Sequence, residues 1–295
     1  MDTYLVAAFT ATGIYVLLTL GLMLQFGFAG LINFGHVAFF AIGAYVSAIL
    51  SLHGVPVLVS MAAAVILAAM AALPVGLLAI RLREDYLAIA MLAFAETVRI
   101  SLAAEQWLTG GINGLTGIPR PFFSPGIGRA DNLTYLAFVL LMDVAAVLLI
   151  FRIVRSPFGR LVRAIRDDEN AVQALGKDPV RFKVVVFVLG SAFGGLAGAL
   201  QAHYVTFISP DQFTASVTFY VWIAMILGGA ERISGAIVGA LLLMMFLEAT
   251  RFISDVVPWI SPSDMASVRL AAVGLALIVC TVYFPHGVVV RAARR

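Results

Sequence analysis

Long apolar runs follow one another along this chain, and most approach the roughly 20 residues a helix needs to cross a bilayer. They cover 4–26, 36–52, 55–80, 86–104, 133–153, 184–205, 214–227, 236–253 and 268–284. They predict an all-α polytopic membrane protein of about nine transmembrane helices, eight to ten once glycine and proline breaks are allowed for. The chain reads as a single transmembrane domain over 1–295, with polar interruptions at 105–132 and 154–183. No basic segment precedes the first run, which reads as a retained helix rather than a cleaved leader.

The longest polar passage, SPFGRLVRAIRDDENAVQALGKDPVRFK, runs over 156–183. Ser156 before Pro157 is a helix start, since serine caps free N–H groups and proline at the first helical position forfeits no bond. Phe158, Leu161, Val162 and Ile165 then fall on one apolar stripe of a basic helix. Leu175 and Gly176, with Pro179 close behind, end a second short helix. Two short capped helices on the water side of a membrane domain make a docking surface. Residues 178–183 belong either to that surface or to the basic anchor of the next span.

Composition supports the membrane reading. The chain is 62% hydrophobic and 12% charged, against about 25% charged in soluble domains. Charge also sets the orientation. Arg152, Arg155, Arg160, Arg163, Arg166, Lys177, Arg181 and Lys183 face only Asp167, Asp168, Glu169 and Asp178, a net of +4. The positive-inside rule puts this passage in the cytoplasm. Alternation then puts Arg81, Arg83, Arg232, Arg291, Arg294 and Arg295 on the same side and leaves Arg120 and Arg129 outside. The N-terminus is expected outside and the C-terminus in the cytoplasm. The net charge of +3 comes from these loops and not from a nucleic-acid patch. Cys280, the one cysteine, excludes an intrachain disulfide and a cysteine metal cluster and reads as a small core residue. No convincing internal repeat is present.

Chemistry-bearing motifs are few. Gly176-Lys177 lacks the upstream glycine of a phosphate cradle, and no metalloprotease pattern or nucleophile elbow occurs. Energy from ATP would have to come from a partner. The external stretch LTGGINGLTGIPRP is turn chemistry. In FGFAGLINFGHVAFFAIGAY, glycines surround Asn33 and His36 at a span boundary, where a broken helix can offer backbone groups to a polar solute. Asn33, Phe34, Gly35, His36, Phe39 and Phe40 are therefore pathway candidates. Close helix packing around a hydrogen-bonded Asn33–His36 pair explains the same residues. Glu96 with Arg99, and Glu248 with Arg251, stand three apart and can each neutralise along one helix face, most simply as structural ion pairs. Asp143 lies mid-span in LAFVLLMDVAAVLLI with no local cation, so it is protonated, paired across helices or part of a path.

Five passages in order, AGLINFGHVAFFAIGAY, RLREDYLAIAMLAFAETVR, LTGGINGLTGIP, SPFGRLVRAIRDDENAVQALGKD with RFK, and FISPDQF, resemble the LivM-type permeases. These are membrane subunits of branched-chain (hydrophobic) amino-acid ABC importers of the bacterial inner membrane. The resemblance spans essentially the whole chain. It implies a LivH-like second permease subunit, two ATPase subunits that bind ATP and Mg, and a periplasmic solute-binding protein, with no cofactor on this chain. It makes 154–183 the coupling segment, with Ser156, Phe158, Gly159, Arg160, Arg163, Ala164, Arg166, Asp167, Asp168, Ala174 and Gly176 toward the ATPase. The loops around 109–119 and 208–213 would face the binding protein. One departure is GGAERISG, where Glu231 and Arg232 stand in a turn that family members often keep uncharged, which puts ATPase contact there in doubt. A stand-alone carrier using Asp143 as a proton or ion site is the alternative of another class. The same permease type carrying urea, short amides, a sugar or an aromatic acid is the alternative in cargo.

Overall fold

The computed structural model describes residues 2–79, 82, 84–121, 128–256, 271, 274, 275, 278, 279, 282 and 287. The expected span at 268–284, with Cys280, lies largely outside the described residues. The helices are α1 (Asp2–Met23), α2 (His36–Leu52), α3 (Val57–Ala79), α4 (Glu84–Ala104), α5 (Gln106–Thr109), α6 (Gly128–Arg155), α7 (Pro157–Asp167), α8 (Glu169–Ala174), α9 (Pro179–Val205), α10 (Ala215–Gly228) and α11 (Ile233–Val256). A π-helical turn, Leu24–Phe28, extends α1 before the chain breaks. The first eight expected spans are helical, most of them within a few residues of their expected limits. Among the described residues, the stretches 4–28, 57–78, 85–104, 131–155 and 179–205 are long and apolar enough to cross a membrane. Helices α2 and 233–248 are apolar but shorter, and α10 has only 14 residues.

Two starts lie five residues before their expected limits, the fifth span at Gly128 rather than 133 and the sixth at Pro179. The sixth span starts at Pro179, not at 184, because the Asp178 carboxylate caps the helix by accepting from the Val180 N–H, with proline next in line. Residues 178–183 are thus the cap and first turns of α9.

Helix α9 is the central post. It packs against α1, α2 and α3, while α1 also meets α6 and α11, and α10 pairs with α11. Buried residues make up 56% of the α1 span and 61% of the α9 span, against 22–28% in α3, α4 and α6, so the latter three form the rim. Small residues set the central spacing. A Cβ on Gly198 would lie 1.9 Å from the Phe40 carbonyl oxygen, and one on Gly43 would lie 2.1 Å from that of Gly195. Helices α2 and α9 therefore touch backbone to backbone, the close approach that small residues permit in membranes.

Candidate functional site

The polar passage folds as two capped helices lying across the ends of α1 and α9. The Ser156 hydroxyl accepts from the Gly159 N–H at 3.3 Å, and Gly159 sits where a Cβ would strike the carbonyls of Ile153 and Val154 at 2.5 Å. Val162 and Ile165 are buried and Phe158 packs on Phe182, so the predicted stripe faces inward. Asp168 ends α7 and caps α8 by accepting from the Ala171 N–H. Glu169 pairs with Lys183 at 2.5 Å, which ties α8 to the first turns of α9.

The basic side chains of α7 differ in how they are held. Arg160 is exposed, and its guanidinium donates to the Arg155 carbonyl. Arg163 donates to the Val154 carbonyl and lies over the Phe28 ring. Arg166 donates to the Gly27 carbonyl and to Glu231 at 2.8 Å. Ala164, Asp167, Ala174 and Gly176 are exposed. Glu231, read from sequence only as a departure in a turn, thus meets α7 directly. Opposite charge 65 residues away was the available signal, without any means of pairing it.

At the break after α1, residues 30–35 leave helical geometry while largely surrounded by protein. Asn33 does not pair with His36. Its amide donates to Gln25 at 2.8 Å, its side-chain oxygen accepts from the Gly35 N–H, and its carbonyl accepts from Trp222. Gln25 in turn reaches the Phe187 carbonyl and Ser191. The Val37 N–H, free at the start of α2, finds the Thr218 hydroxyl. The π-turn explains the change of partner, because its extra residue rotates Gln25 out of the α register and toward Asn33. His36 is buried against Gly21 and Gly194, with neither ring nitrogen in a hydrogen bond among the described residues. Phe39 packs on Phe94 and Phe187, and Phe40 on Phe213. Phe34 is half-buried beside Phe219 and Trp222. Gly35 lies against the Met91 carbonyl. The six residues therefore sit together in the packed centre, joined by Gln25, Ser191, Thr218 and Trp222, which the sequence did not single out.

The two loop motifs around 109–119 and 208–213 also meet. Leu115–Thr116 and Phe207–Ile208 pair as a two-stranded antiparallel ribbon. Pro119 accepts a hydrogen bond from the buried His203 ring, whose other nitrogen bonds Ser47. Arg120 reaches the Tyr204 carbonyl and Asn132. These bonds hold the loop after α5 onto the end of α9.

Two motifs far apart in sequence thus close one end of a helical membrane body, and a capped basic helix pair covers a broken helix elsewhere on it. The profile of the family described as "Branched-chain amino acid transport system / permease component" matches residues 4–282. The chain belongs to this family. It is 36% identical over 265 residues to "High-affinity branched-chain amino acid transport system permease protein LivM" of Escherichia coli, covering 82% of this chain and 62% of that protein. Identity to "Probable branched-chain amino acid transport permease protein LivM" of Methanocaldococcus jannaschii is 30% over 268 residues, covering 78% of this chain and 76% of that one. To "High-affinity branched-chain amino acid transport system permease protein LivH" of Escherichia coli it is 28% over 246 residues, 78% of this chain and 79% of the relative. The chain spans about 62% of the length of the LivM of Escherichia coli. No solved structure matches it.

In this member of the permease family the membrane-depth charges have distinct settings. Arg99 donates to Glu96 through Nε at 3.0 Å and also lies 3.7 Å from Asp211, so the expected pair extends to the loop before α10. Glu248 accepts from the Tyr4 hydroxyl, while the Arg251 side chain lies outside the described residues. Asp143 is buried, and its Oδ1 has no hydrogen-bond partner among the described residues.

Proposed function

We propose that the chain is the membrane-spanning permease subunit of an ABC importer for branched-chain or other hydrophobic amino acids. The family match over 4–282 carries this reading. The assembly contains a LivH-like second permease subunit, two ATPase subunits that bind ATP and Mg, and a periplasmic solute-binding protein, in the bacterial inner membrane. This chain catalyses no bond-making step. It crosses the bilayer about nine times with its N-terminus outside, the orientation that the basic residues around α7 favour. ATP-driven closure of the ATPases pushes α7, and the spans rock between outward and inward openings. The binding protein and ATP must each prefer one of the two states, since a ligand shifts an equilibrium only by its differential affinity. The passage through 33–40 is mostly apolar, which suits a zwitterion with an apolar side chain and weak retention.

The test is uptake of labelled leucine by proteoliposomes holding the four membrane-associated subunits with the binding protein outside and ATP inside. ATP-dependent uptake suppressed by excess valine and isoleucine is expected. Uptake of urea, a sugar or an aromatic acid in place of leucine would overturn the cargo. Leucine uptake by this chain alone, without ATPases, would overturn the class.

A further inference from the structure

Helix α7 and the break after α1 are joined through one side chain. At the end of the π-turn the amides of Gly30 and Leu31 bond the carbonyls of Phe26 and Gln25. The Gly27 carbonyl takes instead the Arg166 guanidinium, at 2.5 Å from Nη1. The second arm of that guanidinium goes to Glu231 at 2.8 Å, on the turn between α10 and α11. That turn also presses on the break, since a Cβ on Gly27 would fall 1.9 Å from the Ala230 carbonyl oxygen. Gly30 holds φ +71° with Arg166 Cγ 3.3 Å from where its Cβ would be. A larger residue there would be both strained and crowded against the arginine stem. On the far side of Arg166, a cavity of about 160 Å³ is bounded by Ala29, Gly30, Leu31, Glu169 and Lys183, leaving the segment room to shift.

From Gly30 the chain runs to Asn33 and His36, the buried polar centre. A carbonyl held by a cation is a stronger tether than a neutral bond. The exposed Arg166–Glu231 pair, screened by water, chiefly aims the guanidinium. We infer that Arg166 is a positioning residue that transmits displacement of α7 to segment 27–36 through the Gly27 carbonyl. The inference rests on the reading of α7 as the ATPase-facing helix, and it deepens that reading by naming where the push is delivered.

The test is hydrogen exchange of peptides covering 27–36 in the assembled complex in nanodiscs, without nucleotide and trapped with ATP and vanadate. Without nucleotide, Arg166→Gln should speed exchange at Gly30 and Leu31 by about tenfold, the size of one lost charge-assisted bond. Arg166→Lys, which still offers a cation to the carbonyl, and Glu231→Gln should each stay within about threefold of the parent, as an exposed pair adds little. Trapping, confirmed in each sample by retained ADP, should change exchange across 27–36 in the parent but not in Arg166→Gln. Unchanged exchange in Arg166→Gln, or a trapping response equal to the parent's, would overturn the inference. Leucine uptake by the parent in the same preparation separates the two claims. An exchange contrast without uptake keeps the tether and removes the cargo.

Discussion

Asp143 lies on the wall of an apolar cavity of about 340 Å³ bounded by residues of α1, α6 and α11. Gly13 makes room for it, since a Cβ there would fall 2.8 Å from Oδ2. A buried carboxyl with an unbonded oxygen gives little to stability, because burial of an unsatisfied polar group costs roughly 1–3 kcal/mol. Asp143→Asn is therefore expected to leave the thermal midpoint in detergent unchanged or raised, and leucine uptake at the parental rate. Loss of uptake with an unchanged midpoint would make Asp143 part of a path. Its burial was legible in the apolar residues around it. That Oδ1 lacks a hydrogen-bond partner among the described residues was not, because that depends on which helices face α6.

Spacing between α2 and α9 is set by atoms that are missing. Gly198→Ala forces the backbones apart, with an expected loss of about 3 kcal/mol, read as a lower midpoint and less monodisperse protein. Gly54→Ala has open space around it and bears only the strain of φ +86°, about 1–2 kcal/mol for an L-residue in that region. Reversal of that order would show that α2 and α9 do not pack as described. At α7, the freely exposed Arg160 separates docking from folding better than Arg163, which is bonded to Val154 and stacked on Phe28. Arg160→Glu is expected to weaken ATPase co-purification about tenfold or more through like-charge contact, with the midpoint of the isolated chain unchanged.

Element boundaries at α7 were readable because Ser156, Pro157 and the apolar stripe all act within one turn or two. The partner of Asn33 was not readable. A π-turn adds one residue to the helical count and swings Gln25 onto a new face, a shift that a 3.6-residue period does not register. Asp178 was visible, but its role as a cap depends on the Val180 amide, which helical hydropathy alone does not locate.

For the whole molecule, the apolar runs and the charge asymmetry were enough to read a polytopic helical body. The two-stranded ribbon was beyond them, since Leu115 and Ile208 meet through backbone groups that every residue carries. The mode of energisation is testable at this scale. In proteoliposomes with all subunits, a protonophore should leave ATP-driven leucine uptake within about 20% of control, since ATP and not a proton gradient supplies the differential affinity. A collapse of uptake under that treatment would favour ion coupling.

Helix α10 has 14 residues, a rise of about 21 Å, where the hydrocarbon layer is about 30 Å thick. It is followed at once by the turn that meets α7 and preceded by the loop that carries Asp211. Thr218, Val221, Trp222, Ile223, Ala224 and Met225 are buried, and α10 packs on α1, α2 and α11, so protein rather than lipid covers most of it. The missing length is therefore made up inside the protein, where backbone at membrane depth can leave helical geometry without facing hydrocarbon. The loops at both ends of α10 can reach deeper than the bilayer surface for the same reason.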